Sequence, residues 1–288
     1  MTTWPTPVDR IVTHGGAAHR DDFMAVAIVA AASGCRQVER RDPTPEDLAD
    51  PKTVVLDIGH RHEPELNNFD HHQFPRDYSP QCALTLVLQH LGLLQNAREA
   101  WAWLELTELQ DCRGPGAVAT QLGLTADKLD ALRSPIEGTM LWLFKKGSLS
   151  PAQLAVIGQS QLDLIHRYNQ RLIDLSAGKA EPLHVAHGRQ FIVCTIEDEP
   201  VLGLNAWMDR YVARTGADVI GSVAPGDRGG WRVYIRRDRQ AQFSTLVLSN
   251  HPDLNVKFIH PSGFLAALAD GREAAERAAA LVAAQPMC

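Results

Sequence analysis

The chain has 288 residues, 45% hydrophobic and 22% charged, with 28 Lys and Arg against 34 Asp and Glu, a net charge of −6. This length and composition describe a globular protein of roughly two domains. The acidic balance argues against broad electrostatic binding to nucleic acid while leaving room for a local basic groove. The longest apolar run starts at Phe23 and ends by Ser33, too short for the ~20 residues of a membrane helix. The stretch Met1–Arg10 shows neither a signal nor a transit pattern, so a cytoplasmic protein with no membrane partner is expected. Five cysteines (Cys35, Cys82, Cys112, Cys194, Cys288) are scattered without a C-x-x-C pair, which fits free thiols in a reducing compartment.

In chain order, 9–13 reads as a short strand running into His14-Gly15-Gly16-Ala17-Ala18-His19-Arg20-Asp21-Asp22. The glycines allow a tight turn, and Asp21 or Asp22 can cap the next helix. That helix, about 22–33, is apolar nearly all round and should be buried. A second strand is expected at 37–41, a short helix from Pro45, and a buried strand at 53–57 ending on Asp57. Residues 66–70 form another strand, ending in Asp70-His71-His72. Helices follow at 81–93 and 97–111. Strands alternating with helices predict a parallel sheet, with ligands at the carboxyl ends of its strands. The segment 120–177 is helical in pattern, with one long amphipathic helix at 154–175. From about 182 the pattern becomes two-residue. A hairpin is predicted at 183–195, a helix at 203–215, strands at 218–224 and 231–236 around a Gly-rich turn, a strand at 258–260 and a terminal helix at 273–285.

Six of the 12 histidines lie in the first 72 residues, about twice an even share, so the chemistry is expected there. The predicted strand ends carry His14, His19 and Asp21, then Asp57, then Asp70, His71 and His72; Asp111, at a helix end, is a further candidate. Singly, His14 and His19 read as loop histidines, Asp21 and Asp22 as helix caps and Asp57 as a turn residue. Taken together they converge on one sheet edge. Imidazole plus carboxylate without thiolate suits Mn, Fe, Zn, Mg or Co. A carboxylate such as Asp57 could bridge two ions, the arrangement that clamps both oxygens of a phosphoryl displacement. His60 and His62 read as a solvated loop, and His184 and His187 as surface residues. In the second half, alternation puts Arg232, Tyr234 and Arg236 on one strand face and Trp231, Val233 and Ile235 on the other. The polar face suits either phosphates or water. The turn His260-Pro261-Ser262-Gly263-Phe264 suits either anion binding or a plain loop.

These motifs resemble a known family. Asp70-His71-His72 with the upstream His/Asp cluster is similar to the DHH phosphoesterase superfamily. Thr13-His14-x-Gly16-x-x-His19-x-Asp21-Asp22, Val55-Leu56-Asp57-Ile58-Gly59, Phe69-Asp70-His71-His72-Gln73 and the His260–Phe264 turn resemble its melanocyte-proliferating-gene branch, a family of metal-dependent hydrolases and exonucleases. The resemblance implies an α/β fold: a parallel-sheet DHH domain over 1–150, a helical connector over 151–180, and a smaller α/β substrate-binding domain over 181–288. It implies metal ligation by His14, His19, Asp21, Asp57, His71 and, in a sequence context that departs from the family's Asp-rich stretch, Asp111. Asp70 would orient His71, and His72 would face the scissile phosphate. Arg232, Arg236, His260, Ser262 and Gly263 would hold substrate. The expected cofactor is a divalent metal, manganese foremost, two per site, with Mg, Zn, Fe or Co compatible. The expected activity is a phosphodiesterase, a 3′–5′ exonuclease on single-stranded RNA or short oligonucleotides, with a homodimer as one assembly. A phosphohydrolase of pyrophosphate or dinucleotides, and a metal-bound protein without turnover, are the alternatives.

Overall fold

The computed structural model describes residues 2–75, 77–196 and 202–286; Cys288 lies outside them. It forms two compact units, Met1–His166 and Arg167–Cys288. The first contains β1 (Arg10–Thr13), α1 (Arg20–Ser33), β2 (Val38–Arg40), α2 (Pro45–Ala49), β3 (Thr53–Leu56), β4 (His62–Glu63), β5 (Asn68–Phe69), α3 (Ala83–His90), α4 (Leu94–Ala100), α5 (Leu104–Arg113), α6 (Pro115–Leu122), α7 (Ala126–Ala131) and α8 (Pro135–Lys145). Helix α9 (Pro151–Ser176) runs through the division between the units.

The first sheet has the order β2-β1-β3-β5-β4. β1 pairs in parallel with β2 and β3, and β3 with β5, while β4 closes the edge antiparallel. The apolar helix α1 is buried from Phe23 through Ala30, as its all-round pattern requires. Its first turn is fastened by Asp22, whose Oδ1 accepts from the His19 backbone N–H at 2.7 Å. Helix α9 approaches α1 at Gly158, where a Cβ would stand 1.9 Å from the Ala27 carbonyl oxygen; only glycine permits that crossing. In α2, Thr44 and Asp47 cap one another's backbone groups, with Pro45 at the first turn.

The single helix expected over 97–111 is two helices. The chain leaves α4 at Trp101 in an extended conformation, which buries that indole in the core and stacks it on Trp103, with ring centroids 4.8 Å apart. The loop expected at His62 instead pairs with Asn68–Phe69 as the edge strand β4.

The second unit contains β6 (Ala180–His184), β7 (Gln190–Cys194), α10 (Leu204–Thr215), β8 (Val219–Pro225), β9 (Trp231–Ile235), β10 (Val256–Ile259), β11 (Leu265–Leu268) and α11 (Arg272–Ala283). The sheet order is β10-β11-β9-β8-β7-β6, parallel only between β7 and β8. Alternation along β7 divides the core. Phe191 and Val193 pack with Ala278, Ala279 and Val282 of α11, and Ile192 and Cys194 with Leu204 and Met208 of α10. Strand β11 has no counterpart among the predicted elements. Buried Arg189 donates to the Ala283 and Gln285 carbonyls, satisfying the open carbonyl end of α11. Among the described residues no helix is long and apolar enough to cross a membrane.

Candidate metal centre

Strand register assembles the site. Thr13 pairs with Leu56, and Leu56 with Phe69, so the next residues, His14, Asp57 and Asp70, emerge side by side at the carboxyl edge. β2 and β3 flank β1 on opposite sides, so His14 and Asp57 sit where the winding reverses, the crevice in which open α/β sheets bind ligands. Asp57 itself takes a left-handed backbone, φ 58°, which Asp tolerates better than most residues. Helix α1 brings Asp21 to the same edge at its second residue. Helix α5 brings Asp111, seven residues after the buried Leu104 and on the same face.

His14 Nε2 lies 3.2 Å from Asp22 Oδ2 and 3.3 Å from Asp57 Oδ2. His71 Nε2 lies 3.1 Å from Asp57 Oδ1 and 2.8 Å from Asp111 Oδ2. Each ring is held from behind. His14 Nδ1 meets the Gly15 carbonyl at 2.7 Å, and His71 Nδ1 meets Cys112 Sγ at 3.9 Å, a thiol that donates in turn to the Gln81 carbonyl at 3.2 Å. A carbonyl only accepts, so His14 carries a proton on Nδ1, and Nε2, facing the carboxylates, is the nitrogen that can ligate a metal once its own proton is lost. Metal-ligating histidines use this arrangement.

Potential ligand atoms of Asp21, Asp57, His71 and Asp111 lie within 4.8 Å of one another, and so do those of His14, His19 and Asp57. Asp21 is 1% exposed, and neither carboxylate oxygen has a hydrogen-bond partner among the described residues. Buried carboxylates are otherwise paired or bound to metal. Burial foremost, then the charges of Asp57, Asp111 and Asp22, push the Asp21 carboxyl well above its usual range. Contacts with Asp22 and Asp57 push His14 up to about 10. For His71, burial opposes the charged form, but Asp111, Asp57 and Cys112 outweigh it and raise the pKa. Burial would raise Asp57, yet His14 and His71 hold it low. Among the described residues, neither His14 Nε2 nor Asp111 Oδ2 forms a directed hydrogen bond despite the short approaches. An acidic, oxygen- and imidazole-lined cluster with orphaned buried oxygens fits a divalent cation.

One role implied by the resemblance is corrected. Asp70 pairs with His72, not His71: its Oδ1 lies 2.6 Å from His72 Nδ1, and it accepts from the backbone N–H groups of His60 and His72. The His71 and His72 rings lie side by side, centroids 4.5 Å apart, and ligand atoms of Asp57, Asp70, His71 and His72 also lie within 4.8 Å of one another. The Asp70 contact raises the His72 pKa. Three contributors escaped the sequence reading. Arg40 donates to the His14 and Ala17 carbonyls and pairs with Asp22 at 3.4 Å, pinning the glycine loop. Asp22 contacts His14 as well as capping α1. Cys112 backs His71. No sequence spacing signals any of these contacts.

In the second unit, Arg232 pairs with Asp227 at 3.2 Å, and Arg236 with Asp209 at 3.1 Å and Asp238 at 3.3 Å. Arg232 borders a cavity of about 300 Å³ with Tyr234 and Phe264. The His260 ring lies tilted against Phe264, centroids 4.2 Å apart, and its Nδ1 accepts from the Ser262 N–H at 3.1 Å. Gly263 has φ 70°, and a Cβ there would collide with Ser244 Oγ.

Residues 10–88 match the family model MYG1_exonuc, described as an uncharacterised protein family (UPF0160), and over this segment the resemblance drawn from the motifs holds. No curated protein matches the chain. Among solved structures, a DHH domain titled as a member of the s1p family of ribosomal proteins is 12% identical, over 98% of this chain and 88% of that one, with a TM-score of 0.35. RecJ of Thermus thermophilus in complex with Mn2+ is 17% identical over 96% of this chain and 52% of that one, TM-score 0.31. The same protein in complex with Mg2+ gives 16%, 96% and 50%, TM-score 0.33. The chain thus spans about half the length of those RecJ chains.

Proposed function

We propose that this chain is a metal-dependent phosphoesterase of the nuclease type, with its metal centre at the carboxyl edge of the first sheet. The observation that carries the proposal is Asp21: a fully buried carboxylate without a hydrogen bond among the described residues, facing Asp57, Asp111 and His71. The family match reaches His14, His19, Asp21, Asp57 and the Asp70–His72 triplet but ends before Asp111, so Asp111 rests on geometry alone.

His14, His19, Asp21, Asp57, His71 and Asp111 would hold the metal. Asp57 belongs both to the group with His14 and His19 and to the group with Asp21, His71 and Asp111, which supports two ions sharing it. A bound divalent ion supplies Lewis-acid stabilisation and a water acidic enough to attack at neutral pH. The chain's own residues do the rest. Asp57 fixes the Nε2 edges of His14 and His71 on its two oxygens. Asp70 holds His72 by Nδ1 and favours its protonated form, leaving Nε2 of this half-exposed ring as the donor to a phosphate oxygen or a leaving alkoxide. Arg40 keeps the His14–Ala17 loop closed over Asp22.

The finer reading is a 3′–5′ exonuclease on RNA or short oligonucleotides, using manganese foremost and acting in the cytoplasm. Arg232, Arg236, His260, Ser262 and Gly263 would contact substrate, and a homodimer is the proposed assembly. The test is nucleotide release from short RNA and single-stranded DNA with Mn2+ or Mg2+. Asp57→Ala and His71→Ala are expected to abolish it, and undiminished turnover in both variants would sink the mechanism.

A further inference from the structure

Beside the metal centre lies a cavity of about 250 Å³ whose wall runs from His72 and Asp111 to Phe74, Tyr78, Gln81 and Arg113. The segment carrying its two aromatic rings is fastened at several points. The Phe74 N–H donates to the His71 carbonyl at 2.9 Å and the Tyr78 N–H to the Pro75 carbonyl at 3.0 Å. Arg113, at the end of α5, donates to the Tyr78 carbonyl at 2.8 Å. The Cys112 thiol donates to the Gln81 carbonyl. The Phe74 ring is braced edge-on by His62, centroids 5.8 Å apart, and Tyr78 leans on Phe74 at 5.3 Å. Tyr78 is nevertheless 51% exposed. A large aromatic ring held on one side by packing and left open on the other offers a face on which a planar group can stack.

A second cavity of about 200 Å³ also reaches Asp111, but its walls are His19, Arg20, Gln110 and Arg133 rather than an aromatic pair. The two cavities therefore differ in chemistry on either side of one carboxylate. The first offers a ring face plus the Ser79 hydroxyl and Gln81 amide for polar edges, and the second offers charge.

We infer that the first cavity seats the base of the nucleotide whose phosphate is attacked, stacked on Tyr78 with Phe74 behind it. The inference rests on the proposed phosphoesterase reading and narrows it: the substrate is a nucleotidyl ester, and inorganic pyrophosphate, which has nothing to stack, is a poor one. Every base has a π-face, so the seat discriminates a nucleoside from its absence more than one base from another.

The test compares a dinucleotide with its counterpart lacking the seated base, in the full chain and in Tyr78→Ala and Tyr78→Phe. The base is expected to lower KM roughly 5- to 150-fold with little change in kcat, the range that one stacked base gives. In Tyr78→Ala the ratio between the two substrates collapses toward one, and Tyr78→Phe, which keeps the ring, restores it. Equal KM for both substrates in the unaltered protein overturns the inference, as does a Tyr78→Ala loss that is the same for both. Calorimetry with a nucleoside monophosphate against ribose 5-phosphate reads the seat without turnover. Tighter nucleotide binding that Tyr78→Ala removes supports the seat, and equal affinities overturn it. If no substrate is hydrolysed with any divalent metal but that binding difference persists, the hydrolase reading fails and the base seat stands.

Discussion

At the carboxyl edge of the first sheet, Asp21, Asp57 and Asp111 crowd around His71, Asp57 also meets His14, and Asp21 has no hydrogen bond among the described residues. On the second sheet, Arg232 and Arg236 stand on one strand face and each meets carboxylates of its own unit. Both regions read as ligand-directed from sequence. They differ in how charge is compensated. A surface arginine with a nearby aspartate is neutralised at little cost, and such pairs contribute little to stability. A buried carboxylate without a partner costs several kcal/mol unless a cation joins it. Uncompensated burial is therefore the stronger signal, and the metal centre proposed for the first unit rests on it.

The sharpest break would come from exchanging the sensitivities of the two regions. Asp57→Asn is expected to lower metal-dependent hydrolysis by about 10³-fold or more, beyond the 10–100-fold typical of outer-shell partners. Arg236→Ala, already paired within its own unit, should cost no more than about tenfold, mostly in KM. Steady-state kinetics of the two variants decide, and the reverse order would overturn the comparison.

Arg189 marks the structural use of a buried charge. Arg189→Ala strips the donors from the Ala283 and Gln285 carbonyls and should destabilise the protein by about 2–3 kcal/mol, read from urea unfolding. Metal binding should survive.

Asp21→Asn should do the opposite. A carboxyl whose folded pKa is raised above its unfolded value binds its proton more tightly when folded, so its presence lowers stability as pH rises past about 4. Removing that charge should stabilise the metal-free protein by about 1–3 kcal/mol, each kcal/mol worth roughly 2–4 °C in Tm, while ending the stabilisation that Mn2+ gives. A lower Tm for the metal-free variant would contradict this account.

The smallest effect belongs to Asp47. Arg41 grips its carboxylate at 2.6 Å and 3.3 Å and holds its pKa down to about 2. A depressed carboxylate contributes stability that is present above about pH 4 and lost as pH falls toward 2. With Arg41 partly exposed, the contribution is about 1 kcal/mol. Acid unfolding of Asp47→Asn should be shallower over that window.

Much of the first unit was legible because its signals are local. The apolar runs at 53–56 and 23–30 fix a buried strand and helix, and the residues ending each strand fall in one row once the strands pair in parallel. The broken helix at Trp101–Trp103 was not legible, because the break follows from burying one indole in a core assembled by distant elements. The Asp70–His72 pairing was not legible, because the chain leaves β5 after Phe69 and strand alternation no longer governs where the triplet's side chains go. Arg40 and Cys112 were not, since each reaches the site through backbone carbonyls or a ring edge that leave no trace in spacing. In the second unit, period two located β8 and β9, but β11, Leu-Ala-Ala-Leu, carries no alternation to distinguish it.

Whether the first sheet's edge is a cation site decides the function proposed for this chain. Calorimetric titration of the full chain with Mn2+ near pH 7, repeated with Asp21→Asn, addresses this directly. Because His14 lies near 10 and must lose its proton to ligate, binding should release protons, visible as a dependence of the measured heat on buffer ionisation enthalpy, and should weaken at least tenfold in the variant. Absence of Mn2+ binding, or binding that Asp21→Asn leaves unchanged, would contradict the claim.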